Sequence, residues 1–269
     1  MMKNWQIFEA NATALLREVF NNTNLVFENT GGADSTISDI KVKRNNTVIT
    51  TIEAKYSPSQ SGQIVLLLNN NKFEFSQASV NSSNEFVEAI VEFINNNITT
   101  YINVGTKALP IGINSQILFD WVKRVYSQKG VKWVIASSLY DNLNTQNTTL
   151  IPLNEIDSYF DISASFRRKK SGTSHLPKTK EDDFKSHLNR ITTNYHLEKQ
   201  GTKYLLELNE DIGTKYISDE YFLSPTGTNS TFYVKKRSST NNANVMFSLT
   251  LKNNIDFKSE KFKEEYCRQ

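Results

Sequence analysis

The stretch from Asp39 to Lys55 constrains the fold of this chain more than any other. Asp39-Ile40-Lys41-Val42-Lys43 alternates polar and apolar side chains with the period of two that marks a strand with one buried face. Asn45-Asn46 supplies turn chemistry, and Thr47-Val48-Ile49-Thr50-Thr51-Ile52 resumes with β-branched strand formers. The segment reads as a β-hairpin with an acid at its opening and Glu53-Ala54-Lys55 at its far end. A three-residue loop, Arg44 to Asn46, pairs position 43 with 47 and 39 with 51. Because side chains alternate faces along a strand, Asp39, Thr51, Glu53 and Lys55 then share one face. A two-residue loop puts Asp39 on the opposite face unless a bulge intervenes.

Two carboxylates and an amine on one face make a chemical unit. Carboxylate oxygens are hard donors suited to Mg²⁺, and a lysine beside them can orient or deprotonate a water that attacks a phosphate. An acid opening one strand, followed by Glu-x-Lys closing the next, is the minimal signature of the PD-(D/E)xK metal-dependent nucleases. In that pattern Asp39 and Glu53 are the metal ligands, the Ala54 carbonyl completes the protein's share of an octahedral shell, and Lys55 acts on the water. A solvated strand with a surface ion pair produces the same letters. Upstream, Gly31-Gly32-Ala33-Asp34-Ser35 is a polar loop able to approach a phosphate backbone closely, or an ordinary surface connection. Glu9, on an amphipathic segment, is a candidate outer-shell acid, with a solvent-facing glutamate as the simpler reading.

Charge distribution points the same way. The net charge of +3 is modest, but residues 162–180 hold Arg167, Arg168, Lys169, Lys170, Lys178 and Lys180 with no acid. Residues 221–255 add Lys235, Lys236, Arg237 and Lys252, again without one. Such segregation suits a polyanion, because neutralised phosphates release counterions, although a basic run is also a common solvated face. At 269 residues and 38% hydrophobic the chain can bury a full core. No run approaches eighteen apolar residues, so no membrane span is expected. Cys267 is the one cysteine, which leaves no disulfide framework and no cysteine-based zinc site. With no signal-peptide pattern at the start, the expected location is the cytoplasm. His175, His187 and His196 lack zinc-site spacing.

The remaining pattern predicts a helix in the first twenty residues (Trp5, Phe8, Ala12, Leu15, Leu16, Val19), and a break at residues 57–63 before an apolar strand at 64–68. A helix over 84–98 follows, with Ser82 and Glu85 as a capping box, and another over 115–128, stopped by Gly130. Strands are predicted at 131–136, 149–153, 160–167, 204–208, 231–235 and 245–251, with a helix at 182–190. The expected fold is α/β: a central mixed β-sheet flanked by helices, with a β-rich C-terminal part. The division expected is one domain over 1–269, with its core at 1–160, a recognition part at 161–255 and a charged tail at 256–269.

Longer blocks add a resemblance. Asp34-Ser35-Thr36 with Ser38-Asp39-Ile40, Ile52-Glu53-Ala54-Lys55, Ser59-Gln60-Ser61-Gly62-Gln63, Tyr159-Phe160 with Arg167, Lys169-Lys170-Ser171-Gly172, His175-Leu176, and Asn242-Ala243-Asn244-Val245 keep an order and spacing similar to type II restriction endonucleases of the HhaI kind, which cut DNA at GCGC. The resemblance covers roughly residues 4–255 and implies a restriction-endonuclease-like core. It also implies Mg²⁺-dependent cleavage of double-stranded DNA and a cognate DNA methyltransferase in the same cell. A repair or recombination nuclease without strict base specificity, and a non-catalytic DNA-binding module, are the alternatives. Gln60 and Gln63 recur in a family-like block and are candidate active-site support. A GC-only target favours guanine-directed donors from Arg167, Arg168, Lys169 and Lys170, some of which must touch phosphate instead. Ser171, His175, Lys235, Asn242 and Asn244 complete the expected DNA-binding set.

Overall fold

The computed structural model describes residues 2–32, 37–77, 79–81, 83–104, 107–168, 173–218, 220–227, 230–237 and 242–267. In chain order, α1 (Asn4–Val19), β1 (Leu25–Asn29), β2 (Ile40–Arg44), β3 (Thr47–Tyr56), β4 (Ser59–Asn69), β5 (Lys72–Phe75), α2 (Glu85–Asn96), α3 (Ile98–Tyr101), β6 (Leu109–Pro110) and α4 (Ser115–Gln128) come first. Then follow β7 (Val131–Ser137), β8 (Thr149–Pro152), α5 (Ile156–Tyr159), β9 (Phe160–Arg168), β10 (Thr173–His175), α6 (Glu181–Leu188), β11 (Tyr195–Gln200) and β12 (Lys203–Leu208). The chain closes with β13 (Tyr221–Pro225), β14 (Thr231–Arg237), β15 (Asn242–Leu251) and α7 (Ser259–Tyr266). Contacts divide it into one unit made of Met1–Arg167 with Ala243–Gln269, and a second made of Arg168–Asn242. Residues 161–167 and 243–255, expected with the recognition part, therefore belong to the first unit.

The first unit is built on a sheet of order β1-β2-β3-β7-β8. Its β3–β7 pair is parallel and the others are antiparallel, so the sheet is mixed, as expected. Helix α1 covers one face: Phe8, Ala12 and Leu16 pack with Ile40, Val42, Ile52, Ala54 and Ile135. Helix α4 covers the other, setting Trp121, Val122 and Val125 against Val131, Val134 and Ala136. A second sheet, of order β5-β4-β15-β9-β6, contributes Ile64, Phe166, Val245 and Phe247 to that same cluster.

Four expectations need correction. The break at residues 57–63 is shorter than predicted: β4 begins at Ser59 and carries Gln60 and Gln63 as strand residues. The second helix is capped by Asn84, whose side chain accepts from the amides of Phe86 and Val87; Ser82, named in the expected capping box, lies outside the described residues. The charged tail is helical: Phe262 of α7 is fully buried, its ring 4.9 Å from both Phe20 and Trp133. Asn244, expected on a DNA-binding surface, is 1% exposed in the first unit, where its Nδ2 donates to Gln63 Oε1 at 3.1 Å.

Gly62 is required where it stands. Its φ of +140° is open to glycine and strained for other residues, and a Cβ there would lie 2.6 Å from the Trp121 ring, which itself stacks on Phe247 at 3.7 Å. Gly62→Ala combines that backbone strain with an overpacked contact, so a loss of at least about 2 kcal/mol is expected in denaturant unfolding. An unchanged midpoint would show that β4 yields at no cost.

The second unit is a sheet of order β10-β14-β12-β11, with β13 added beside β14. Phe184 and Leu188 of α6 pack on Leu206, Tyr221 and Val234. Two buried tyrosines tie helix to sheet: Tyr204 Oη donates to Glu181 Oε2 at 2.7 Å and Tyr221 Oη to Asp183 Oδ2 at 2.5 Å.

Candidate active site

The hairpin reaches its predicted one-faced arrangement by a different register. Asn45 and Asn46 both have positive φ (48° and 63°), forming a two-residue turn between Arg44 and Thr47. By itself that turn would send Asp39 to the wrong face. A β-bulge between Val42 and Lys43 shifts the pairing, so that Val42 faces Thr50 and Ile40 faces Ile52. Continuing by one position sets Asp39 opposite Glu53, where the sequence predicted Thr51. The extra residue restores parity and brings both carboxylates to one side.

The geometry is tight. Asp39 Oδ2 accepts from the Ala54 amide at 2.8 Å, and Lys55 Nζ donates to Glu53 Oε1 at 2.8 Å. Strand β3 is central in its sheet, which buries Glu53 to 4% exposure and leaves Glu53 Oε2 with no hydrogen-bond partner among the described residues. Burial, then the Glu53 charge, raises the Asp39 carboxyl to about 6 despite Lys55 and the Ala54 amide. Burial alone would lower the Lys55 amine, but Glu53, the Tyr126 hydroxyl and Asp39 outweigh it and hold it well above its usual range. Glu9 is 8% exposed rather than solvent-facing, and burial followed by Asp39 pushes it up to about 7. A side chain at Gly31 would run into the Glu9 carboxylate, so the glycine loop lets that acid lie against the backbone.

These groups line a cleft of about 540 Å³ that also includes Trp5, Gly32, Gln60, Gln63 and Lys129. Gln63 is held from two sides, its side chain by Asn244 and its carbonyl by Asn81 Nδ2 at 2.8 Å. Gln60 is exposed at the rim. The described residues contain no group of three or more His, Cys, Asp or Glu side chains able to hold a metal ion. A cation here would rest on two carboxylates and backbone oxygen.

Among solved structures the chain is similar to HhaI endonuclease in complex with DNA, at 31% identity over 98% of each chain, with a TM-score of 0.64. The chain belongs to the HhaI-like restriction endonucleases. No family model and no curated protein matches it. The endonuclease likeness runs through both units, whose mixed α/β architecture it shares. No helix among the described residues is long and apolar enough to cross a membrane.

The expected DNA-binding residues of this endonuclease separate into groups. Arg167 is half-buried at the end of the first unit. In the second unit Arg168 is half-buried, and burial holds its guanidinium below its ordinary range. Lys169, Lys170 and Ser171 lie outside the described residues. His175 and Lys235 are cross-strand partners on β10 and β14, and Lys235 Nζ donates to His175 Nδ1 at 3.2 Å. Burial, then Lys235 and Lys203, keeps that imidazole below its ordinary value. Lys203 and Lys235 both stand over the Tyr233 ring, 5.0 Å and 6.0 Å from its centroid. Asn242 is half-buried.

Sequence reasoning missed two residues at or beside this cleft, Tyr126 and Lys129. Tyr126 is 1% exposed at the end of α4, and both Lys55 Nζ and Lys129 Nζ lie over its ring, at 5.4 Å and 5.6 Å. Neither belongs to a local motif. A lysine just before a helix-stopping glycine reads as a favourable end charge and carries no other signal.

Proposed function

We propose that this restriction endonuclease hydrolyses phosphodiester bonds of double-stranded DNA at a fixed sequence, with Mg²⁺ as cofactor and GCGC as its leading target. The observation that carries the reading is Asp39, directly ahead of β2, accepting from the Ala54 amide beside Glu53 on β3, with Lys55 two residues on and all three in one cleft. That placement supports a PD-(D/E)xK reading. The donor set fits a hard divalent cation: Glu53 Oε2 is buried without a partner among the described residues, and Asp39 is pushed toward its neutral form by burial and by Glu53. Asp39, Glu53 and the Ala54 carbonyl are the groups that would hold Mg²⁺. When bound, the ion supplies Lewis acidity at a phosphate oxygen and makes a nearby water more acidic.

The chain's own residues do the rest. Lys55 holds a positive charge inside a buried site, where it orients the attacking water and offsets charge that develops on the phosphate. Glu9 stands near Asp39 as a proton acceptor of near-neutral affinity. Gln63, fixed by Asn244 and Asn81, borders the cleft as a neutral positioning group. Arg167, Arg168, Lys169 and Lys170 are the candidates for guanine contacts, and the Lys235–His175 pair suits phosphate, since no acid forms an ion pair with either among the described residues. A DNA methyltransferase modifying the same sequence would protect the host.

The test uses three 30-base-pair duplexes: one containing GCGC, one with that site scrambled, and one with its cytosines methylated. Cleavage of the first alone, in Mg²⁺ and not in EDTA, is expected. Equal cutting of the first two would remove the base specificity, and inactivity on all three would remove GCGC as the target.

A further inference from the structure

We propose that Lys129 is a second phosphate-facing cation of the cleavage site, one that opposes the metal in the free enzyme and stabilises the transition state in the DNA-bound one. The inference rests on the phosphodiester-hydrolysis reading above. It starts from how firmly Lys129 is placed. Its amide donates to the Tyr126 carbonyl at 3.0 Å to close α4, and Gly130, at φ +78°, turns the chain directly into β7. Val131 then pairs with Thr51, which puts Lys129 beside the catalytic strand from the far side of the sheet order. Its side chain is 14% exposed, crosses the Tyr126 ring and ends in the cleft.

An ordinary ion-pair role does not account for this placement. Lys129 Nζ stands 3.9 Å from Glu53 Oε1, beyond hydrogen-bond distance, and that oxygen already accepts from Lys55 at 2.8 Å. Among the described residues Glu53 is its one ion-pair partner. Two ammonium groups thus converge on one carboxylate oxygen, at the cost of desolvating both. Charge counting shows what would repay that. Asp39 and Glu53 balance Lys55 and Lys129, so the four side chains together are neutral. A divalent cation on the two acids leaves a double positive excess, or a single one when Glu9 is also charged. A phosphodiester carries one negative charge, and the pentacoordinate state formed when hydroxide attacks it carries two. With Glu9 protonated the site is therefore closest to neutral at the transition state, and Lys129 supplies a share of that match.

The same charge must repel the metal when DNA is absent. Removing it should tighten Mg²⁺ binding while slowing cleavage, two changes that a merely supporting residue would not produce together. The experiment compares wild type with Lys129→Met, Lys129→Gln and Lys129→Arg. Mg²⁺ binding to the DNA-free enzyme is read by calorimetry, single-turnover cleavage is read at saturating DNA and Mg²⁺, and thermal melting checks folding. The Met and Gln variants should cut on the order of a hundredfold more slowly, while binding Mg²⁺ several-fold to roughly tenfold more tightly. Lys129→Arg should recover much of the rate with Mg²⁺ affinity close to wild type.

A neutral variant within about threefold of the wild-type rate would overturn the proposal. So would parallel loss of rate and Mg²⁺ affinity, which would make Lys129 a support for Glu53, or unfolding of both neutral variants. Failure of the parent reading looks different: the wild-type protein itself would cut no duplex, and both proposals would fall together.

Discussion

Lys55→Ala and Asp39→Ala should each lower the cleavage rate by about a hundredfold or more while duplex binding in Ca²⁺ stays within a few-fold of wild type. The asymmetry follows from where the two side chains point. Lys55 is buried against Glu53 and Tyr126, and Asp39 is bonded to the Ala54 amide, so neither is a surface contact that adds much to ground-state binding. Their contribution grows only as charge builds on the phosphate. Glu53→Ala should behave likewise, because it removes the buried Oε2 that has no partner among the described residues and so gives the site its spare acceptor. Single-turnover rates on a GCGC duplex provide the check. More than a tenth of wild-type activity in Asp39→Ala would remove Asp39 from the site.

The second large effect is on stability, and its sign is opposite to that of most substitutions. Asp39 titrates at about 6 in the fold, against 3.8 for an unperturbed aspartate. The folded state thus holds more protons than the unfolded one between those values, and stability falls as pH rises through that window. Below about pH 4 the penalty is absent, and above pH 7 it is fully present. Asp39→Asn keeps the shape and removes the charge, so in EDTA at pH 8 it should stabilise the protein by about 1–3 kcal/mol. The gain should shrink as pH is lowered from 7 to 5. Mg²⁺ should raise the melting temperature of wild type at pH 8 and leave Asp39→Asn almost unchanged, since the ion relieves repulsion that the variant lacks. A gain that widened on acidification would mean that burial and Glu53 do not set the Asp39 carboxyl.

How much of this was legible in the sequence depended on whether the signal was local. The Asp39–Lys55 hairpin was readable because alternation and turn chemistry are written into consecutive residues. The bulge that aligns it was not, since one extra residue in a run of β-branched side chains leaves no compositional trace. Helix α4 was read to its ends because its apolar side repeats at helical spacing and Gly130 stops it, both signals lying within or next to the helix. Lys129, by contrast, meets Glu53 across a separation of 76 positions through a parallel strand pairing that no local pattern announces. Helix α7 was hidden because among Lys261, Lys263, Glu264 and Glu265 only Phe262 is buried outright, and one apolar position does not make a period. Asn244 misled for a related reason. In a chain this rich in asparagine a buried one looks like its exposed neighbours until its bond to Gln63 is seen.

The most direct test of the central claim is a digest of a sequenced plasmid with every fragment end mapped, run with wild-type protein and with Lys55→Ala, each in Mg²⁺ and in EDTA. Wild type in Mg²⁺ should give discrete fragments whose ends all fall at GCGC, and the other three reactions should leave the plasmid intact. Ends scattered through the sequence, or the same fragments from Lys55→Ala, would contradict a site-specific nuclease built on Asp39, Glu53 and Lys55.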